Sequence, residues 1–439
     1  MRILLVHNYY KVAGGEDRVF ENERKLLEDH GHRVYCYARD NKDMKPWQLL
    51  TEAIFSRRSY RELRRIIREK AIDLVHVHNT QFLVSPAVFK AAKDQGVPVV
   101  QTLHNFRMVC VNAMLYRNGA VCRDCLRKGV KCGIGSRCYR GSRILSLLLT
   151  AIRGVNMRRG TFEGVNFICL TDFNRRILSK GIERLEEAYG IEKGAHRFFV
   201  KPNFAPDETG IGGEGIPGGE AEAEGLDGHS PGFFSTEKTA AGGFPASETR
   251  PASLETWDKG GDSREKYFIY VGRIDPLKGL EDILLVWRRV PSDIFLYVCG
   301  DGEDKEFTGR IETLAETMPN VRLLGRREHD ETLSLMAGAE AMIFASKWYE
   351  GFPMTIIECF SVGRPVLGLD FGNGGDILSR IYGSRKPLMK SMEELPDRVQ
   401  SFRAGDYSFS RDVLREFRPE ANYEKLMEIY RELLKAHPL

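Results

Sequence analysis

At 439 residues the chain is longer than one core usually supports, since single cores stop growing near ~250 to 300 residues, so two domains are expected. Apolar residues at 42% and charged residues at 29% exclude a chain disordered throughout, and nine cysteines without a leading secretory pattern exclude a secreted disulfide scaffold. The net charge of +4 is an average: residues 205–265 hold thirteen acidic against four basic side chains, a local −9 that leaves +13 on the rest.

The chain opens with "RILLVHNYYKVAGG", an apolar run too short for a secretory segment, which meets a glycine pair and predicts a first strand and its loop. "HRVYCYA", "IDLVHVHN", "PVVQTLH", "NFICLT" and "RFFVKPN" then have strand length and β-branched or aromatic content, with amphipathic stretches between most of them. This alternation predicts a parallel sheet with helices on both faces over residues 1–204. The apolar run Ile144–Ile152 is about half of what a bilayer crossing needs, so a cytoplasmic protein without a transmembrane span is expected.

The loop 108–142 carries Cys110, Cys122, Cys125, Cys132 and Cys138, with Cys122 and Cys125 in CxxC spacing. Four thiolates could close a tetrahedral structural zinc site, for which Cys110, Cys122, Cys125 and Cys138 are the expected ligands; free or partly buried thiols and a redox pair are the alternatives. Arginines crowd Ser56–Lys70 and Ser136–Gly160. The second stretch pairs them with an apolar run, as a helix on an anionic membrane surface would, although solvated faces around one buried helix give the same pattern. No recognition motif accompanies the charge, so nucleic acid is not an expected partner.

Residues 205–265 are dominated by Gly, Glu, Ala, Ser and Pro and predict a flexible insert. From 266 to 439 the alternation restarts with "KYFIYVGRID", "IFLYVCGDG", "VRLLG", "AMIFAS" and "PVLGLD", and "EANYEKLMEIYRELLKA" closes the chain as a helix that could pack back on the first domain. Two doubly wound domains bind ligand at the carboxyl ends of their strands, here in the cleft between them.

The second domain carries the chemistry. "YVGRIDPLKG" ends a strand at Gly272 and then supplies Arg273 and Lys278 on a loop, two cations suited to a diphosphate. Some seventy residues on, "SKWYEGFPMTIIE" predicts a helix opened by Gly351, Phe352, Pro353, Met354 and Thr355, with Pro353 in the first turn and free amides for phosphate. Glu350 lies just before that helix and Glu358 about one and a half turns inside it, far enough apart to accept hydroxyls at opposite ends of a nucleotide sugar. Read alone, the two acids equally suit a solvated loop and a helix start.

"GRIDPLKG", "GDGED" and "YEGFPMTIIECFSVGRPV" resemble, in order and spacing, the donor half of the family 4 retaining glycosyltransferases of GT-B fold. "HNYYKVAGGEDRVF" looks like that family's first strand and glycine loop, "TLHNF" like its active-site histidine segment, and the cysteine-rich loop ending in "CYRGS" is similar to that of one subgroup. The resemblance leaves out only the insert. It implies two Rossmann-like domains facing a cleft, a nucleotide-diphosphate sugar as co-substrate, no metal needed for catalysis, and transfer with retention to a cell-surface glycan or lipid-linked acceptor.

By the same resemblance Arg273 and Lys278 would hold the diphosphate, the amides of Gly351 to Met354 would add to the cradle, and Glu358 would accept the ribose hydroxyls. Glu350 would contact the transferred sugar. Gly14 and Gly15 would let backbone approach from across the cleft, and His104 would face the donor sugar unless it is a strand-end histidine satisfied by backbone. A sugar-nucleotide epimerase or phosphorylase on this fold, or a non-catalytic nucleotide-sugar-binding module, are the alternative functions; the intact set Arg273, Lys278, Glu350 and Glu358 argues against them.

Overall fold

The computed structural model of the chain describes residues 1–10, 14–191, 196–205 and 265–436. The low-complexity insert thus lies, apart from its two end residues, outside the described part.

In the first domain β1 (Arg2–Tyr9), β2 (Arg33–Asp40), β3 (Leu74–Val77) and β4 (Val99–Leu103) precede a short ribbon of β5 (Tyr116–Arg117) and β6 (Ala120–Val121), and β7 (Asn166–Cys169) and β8 (Phe198–Val200) follow. Six of these form one parallel sheet in the order β2-β1-β3-β4-β7-β8. The run Ile3–Val6 shows why β1 sits inside it. Leu4 and Val6 point to one face, with Val75, Val77 and Leu103, while Ile3 and Leu5 point to the other, with Phe20, Leu27 and Leu74. A strand buried on both faces needs a continuous apolar run, and this one has it.

The second domain repeats the plan with β9 (Tyr267–Val271), β10 (Phe295–Cys299), β11 (Val321–Gly325), β12 (Met342–Phe344) and β13 (Val366–Gly368), all parallel, in the order β11-β10-β9-β12-β13. In both sheets the order reverses at the first strand, β1 or β9. Ligands bind at such switch points, because the loops leaving the two central strands diverge there and open a crevice.

The last helix, Pro419–Ala436, buries Leu426, Met427, Ile429, Tyr430 and Leu433 in the same cluster as Ile3, Leu5 and Phe20, so the chain's end closes over the first domain's core. The arginine-flanked run forms the helix Arg143–Arg158, started by Ser142, whose Oγ accepts from the Leu145 amide. Its Leu149 and Met157 are buried, while Ile144 and Leu147 are exposed. Among the described residues no helix is long and apolar enough to cross a membrane.

Candidate active site

The loops after β9 and β12 are stitched together at the second domain's switch point. The Lys347 amide donates to the Leu277 carbonyl at 2.8 Å, and a β-carbon on Gly279, which has φ +77°, would run into the Ala345 carbonyl. Glycine is required there both by backbone and by space. Gly272 is also closely packed, but against protein: a β-carbon on Gly300 would collide with its carbonyl oxygen.

This stitching brings Lys278 to Glu350. The Lys278 ammonium lies 2.7 Å from Glu350 Oε1, which also accepts from Ser346 Oγ at 2.6 Å. Glu350 is only 7% exposed, yet its second oxygen takes part in neither bond. That oxygen is free to accept a hydroxyl, and an ammonium with three donors can hold Glu350 and an oxyanion together. Arg273 stands exposed on the same loop, and among the described residues its guanidinium makes no hydrogen bond or ion pair.

The helix after Glu350 runs from Met354 to Ser361 with Pro353 as its N-cap, one residue before the first turn in which it was expected. Pro353 donates nothing but accepts the Ile356 amide at 3.2 Å, leaving the Met354 and Thr355 amides at the helix mouth. Phe352 and Met354 send their side chains into the apolar cluster behind. Burial pushes the Glu358 carboxyl up, against the pull of His329 and of Arg18, a residue of the opposite domain.

Gly351 marks where the two domains touch. A β-carbon there would strike the His104 carbonyl, and its own carbonyl accepts from Asn174 Nδ2 at 2.9 Å. Asn373 binds both sides, donating to Asn174 Oδ1 at 2.7 Å and to the Glu350 carbonyl while pairing with Thr171. Arg123, from the cysteine-rich loop, donates to Tyr349 Oη at 2.6 Å. None of Arg123, Asn174 and Asn373 carries a sequence signal of its own role.

Behind His104 lies a buried polar chain. His104 Nε2 is 3.1 Å from His78 Nδ1, His78 Nε2 is 3.2 Å from Glu23 Oε1, and the fully buried Lys201 ammonium is 3.0 Å from Glu23 Oε2. His76 joins at 2.8 Å from Glu23 and 2.6 Å from Tyr430 Oη. Burial pushes the Glu23 carboxyl up, but Lys201, His76 and His78 outweigh it and hold it well below the usual carboxylate range. Burial pushes His78 down to about 4 despite Glu23, and pushes His104 down as well. His104 is therefore not satisfied by backbone alone; it is the outer member of a relay.

Gly14 caps the helix Gly15–Asp29, and its amide donates to Asp17 Oδ2 at 2.8 Å. A β-carbon on Gly14 or Gly15 would meet nothing within 4 Å, so both face open space. The adjoining Glu16 is pushed up by burial against the pull of Arg107, and Asn105, next to His104, lies 3.4 Å from it.

The cysteine-rich loop departs from expectation. Phe106, Val109, Val111, Leu115 and Val130 bury themselves with Cys110 and Cys125, giving the loop an apolar core of its own. All nine cysteines are free. Cys125 Sγ lies 3.7 Å from Cys132, the residue expected to be spare. A tetrahedral zinc would draw four sulfurs to within about 4 Å of one another. Among the described residues, however, the candidate ligands whose atoms converge within 4.8 Å are Glu23, His76 and His78, and there Lys201 already supplies the cation. The four expected thiols thus do not form a closed set, and no role is derived from zinc.

Two family models match the chain: "Glycosyltransferase Family 4" over residues 13–130 and "Glycosyl transferases group 1" over residues 254–380. An uncharacterized glycosyltransferase of Methanocaldococcus jannaschii is 30% identical over 110 residues, 24% of this chain and 26% of that protein. The match thus spans about a quarter of the relative's length. Among solved structures, a glycosyltransferase from Rickettsia africae superposes with a TM-score of 0.62 at 14% identity, covering 99% of each chain. Anabaena HepE, in complex with UDP and glucose, superposes with a TM-score of 0.57 at 12% identity, covering 98% of this chain and 100% of that one. The chain has the GT-B fold, with a first domain like glycosyltransferase family 4 and a second like glycosyl transferases group 1.

Proposed function

We propose that the protein is a glycosyltransferase that moves a sugar from a nucleotide-diphosphate donor, with retention of configuration, to a glycan or lipid-linked acceptor. The observation that carries this reading is the meeting of Lys278, Glu350 and the Met354 helix mouth with His104 at one contact between the domains. Arg273, Lys278 and the Met354 and Thr355 amides would stabilise the charge that develops on the departing diphosphate. Glu350 would accept from a sugar hydroxyl, and Glu358 from the ribose. In the retaining reading the glycosidic C–O bond to phosphate breaks as the acceptor oxygen bonds on the same face, and the acceptor's proton passes to the leaving phosphate oxygen. That route needs no carboxylate nucleophile.

The exposed Ile144 and Leu147 beside Arg140 and Arg143 support contact with an anionic membrane surface, as an interfacial helix would make. A panel of nucleotide sugars that includes UDP-glucose, the nucleotide and sugar named for the Anabaena neighbour, tests the donor reading by thermal shift, with NMR of the product's anomeric centre for retention. A stabilising donor whose effect disappears in Lys278→Ala is expected. Absence of any nucleotide or nucleotide-sugar binding at millimolar concentration overturns the proposal.

A further inference from the structure

A cavity of about 90 Å³ lies beside His104 on the first domain's side of the cleft and opens toward solvent. Much of its lining is apolar, with Phe82, Phe89, Ile152 and Phe162 prominent. Three polar residues of the lining break that pattern. Gln81, Gln101 and Arg153 are 7%, 8% and 6% exposed, and each keeps a polar atom without a hydrogen-bond partner: Gln81 Nε2, Gln101 Oε1 and Arg153 Nη1. Buried donors and acceptors are almost always paired, and an exception marks a partner still to come.

The missing partner has a sign. The other arm of Arg153 donates to the carbonyls of Arg107 and Cys110, and no carboxylate bonds to it among the described residues. The cavity's second guanidinium, Arg107, has Glu16 and Tyr10 beside it. The lining therefore holds two guanidiniums against a single nearby acid, in surroundings where a buried charge requires compensation. An oxyanion fits the charge and the unpaired donors, and an apolar body fits the rings. On the helix that supplies Ile152 and Arg153, Ile144 and Leu147 are 77% and 54% exposed, giving an emerging chain an apolar surface to follow.

We propose that this cavity binds an amphiphilic anion, an aliphatic or isoprenoid chain carrying a phosphate or carboxylate, as the acceptor-side ligand. The assignment of side rests on the glycosyltransferase reading, whereas the binding itself does not.

Farnesyl monophosphate, dodecanoate, farnesol and inorganic phosphate are titrated against the full-length protein by calorimetry. Binding of farnesyl monophosphate or dodecanoate, at least tenfold tighter than farnesol and than inorganic phosphate, is expected; the stronger of the two names the head group. The preference should fall at least tenfold in Arg153→Met. Because that variant also loses two carbonyl contacts, Gln101→Leu is measured beside it; it removes a partnerless acceptor that opposes an anion, so it should fold normally and bind the anions at least as tightly as the wild type, and a tenfold loss there overturns the proposal. Equal binding of farnesol and the anions, or no binding by either anion at 1 mM, overturns the proposal. UDP titrated into the same samples reports on the second domain, so loss of the amphiphile with UDP binding intact refutes this inference alone.

Discussion

His78 Nδ1 lies 3.1 Å from His104 Nε2, and the proton between them can belong only to His104. Glu23 is ionised and can only accept, so the proton of neutral His78 must sit on Nε2, facing Glu23 at 3.2 Å. His78 Nδ1 is then a bare acceptor, and His104 Nε2 must donate to it. His104 Nδ1 is left with a lone pair, which can accept a hydrogen bond and cannot donate one. The predicted signature is an Nε2–H tautomer of His104 in ¹⁵N NMR of histidine-labelled protein. His78→Gln keeps both bonds, amide to Glu23 and carbonyl to His104, and should preserve the tautomer; His78→Leu should lose it and lower kcat about tenfold, the worth of one hydrogen bond, with UDP affinity unchanged. A protonated Nδ1 in the wild type refutes the assignment.

The same histidine sets a pH dependence of stability. Burial lowers His78 in the folded state to about 4, against about 6.5 when exposed, so between those values the unfolded chain binds more protons. Stability from this group is complete above pH 6.5 and is lost as pH falls toward 4, by about 3 kcal/mol. Glu23, held below its usual range, adds a loss of the same sign at lower pH. Melting curves from pH 7.5 to 4.5 should show Tm falling steadily in the wild type and more shallowly in His78→Gln.

Lys278 and Arg273 separate two meanings of a donor-site cation. Arg273 is exposed and unpaired among the described residues, so Arg273→Ala should leave Tm within the small range of surface substitutions while weakening UDP binding. Lys278 is bonded to Glu350, so Lys278→Ala should lower Tm as well as weaken UDP binding by about 10- to 100-fold, the worth of a charged hydrogen bond. Glu350→Gln should leave UDP affinity near that of the wild type and reduce kcat/KM for the nucleotide sugar. Equal loss of UDP binding in all three variants would show that Glu350 shapes the diphosphate site and not the sugar site.

These residues differ in how far the sequence exposed them. The two sheets were legible because runs such as Ile3–Val6 are apolar at every position, and the loops that bring Lys278 to Glu350 because "GRIDPLKG" and "YEGFPM" concentrate glycine and charge at strand ends. The relay was legible only in part. His76 and His78 stand two apart in "VHVHN", which puts both on one side of the chain as it leaves β3. Glu23, Lys201 and Tyr430 complete the relay from distant positions, and a buried ion pair between residues 178 positions apart leaves no local pattern. The packing of the cysteine loop was illegible for a related reason. CxxC spacing is conspicuous, whereas the apolar residues that hold the loop, from Phe106 to Val130, are dispersed and without period.

Gly351 tests the contact between the domains. A β-carbon would meet the His104 carbonyl, which is backbone and cannot swing aside as a side chain does. Gly351→Ala should therefore push the Glu350 loop away from His104 while leaving each sheet intact. Tm should fall by several degrees and kcat by more than tenfold, with UDP, for which the second domain is the proposed site, still bound. Wild-type kcat in this variant would mean that the domains close in some other arrangement during turnover.

The cysteine-rich loop gives the last test. Its core of Phe106, Val109, Val111, Leu115 and Val130 is protein alone, and Cys110 donates to Asn112 Oδ1 at 2.9 Å instead of facing a metal. Were four thiolates bound to zinc, removing it would expose that core and lower Tm sharply, since structural zinc contributes directly to folding free energy. With an apolar core in place, prolonged dialysis against EDTA should shift Tm by less than about 1 °C, the shift that ~1 kcal/mol gives in a chain of this size. Metal analysis after chelator-free purification should find well under one zinc per chain. One tightly held zinc per chain, with Tm collapsing in EDTA, would restore the metal reading and require the loop to repack around it.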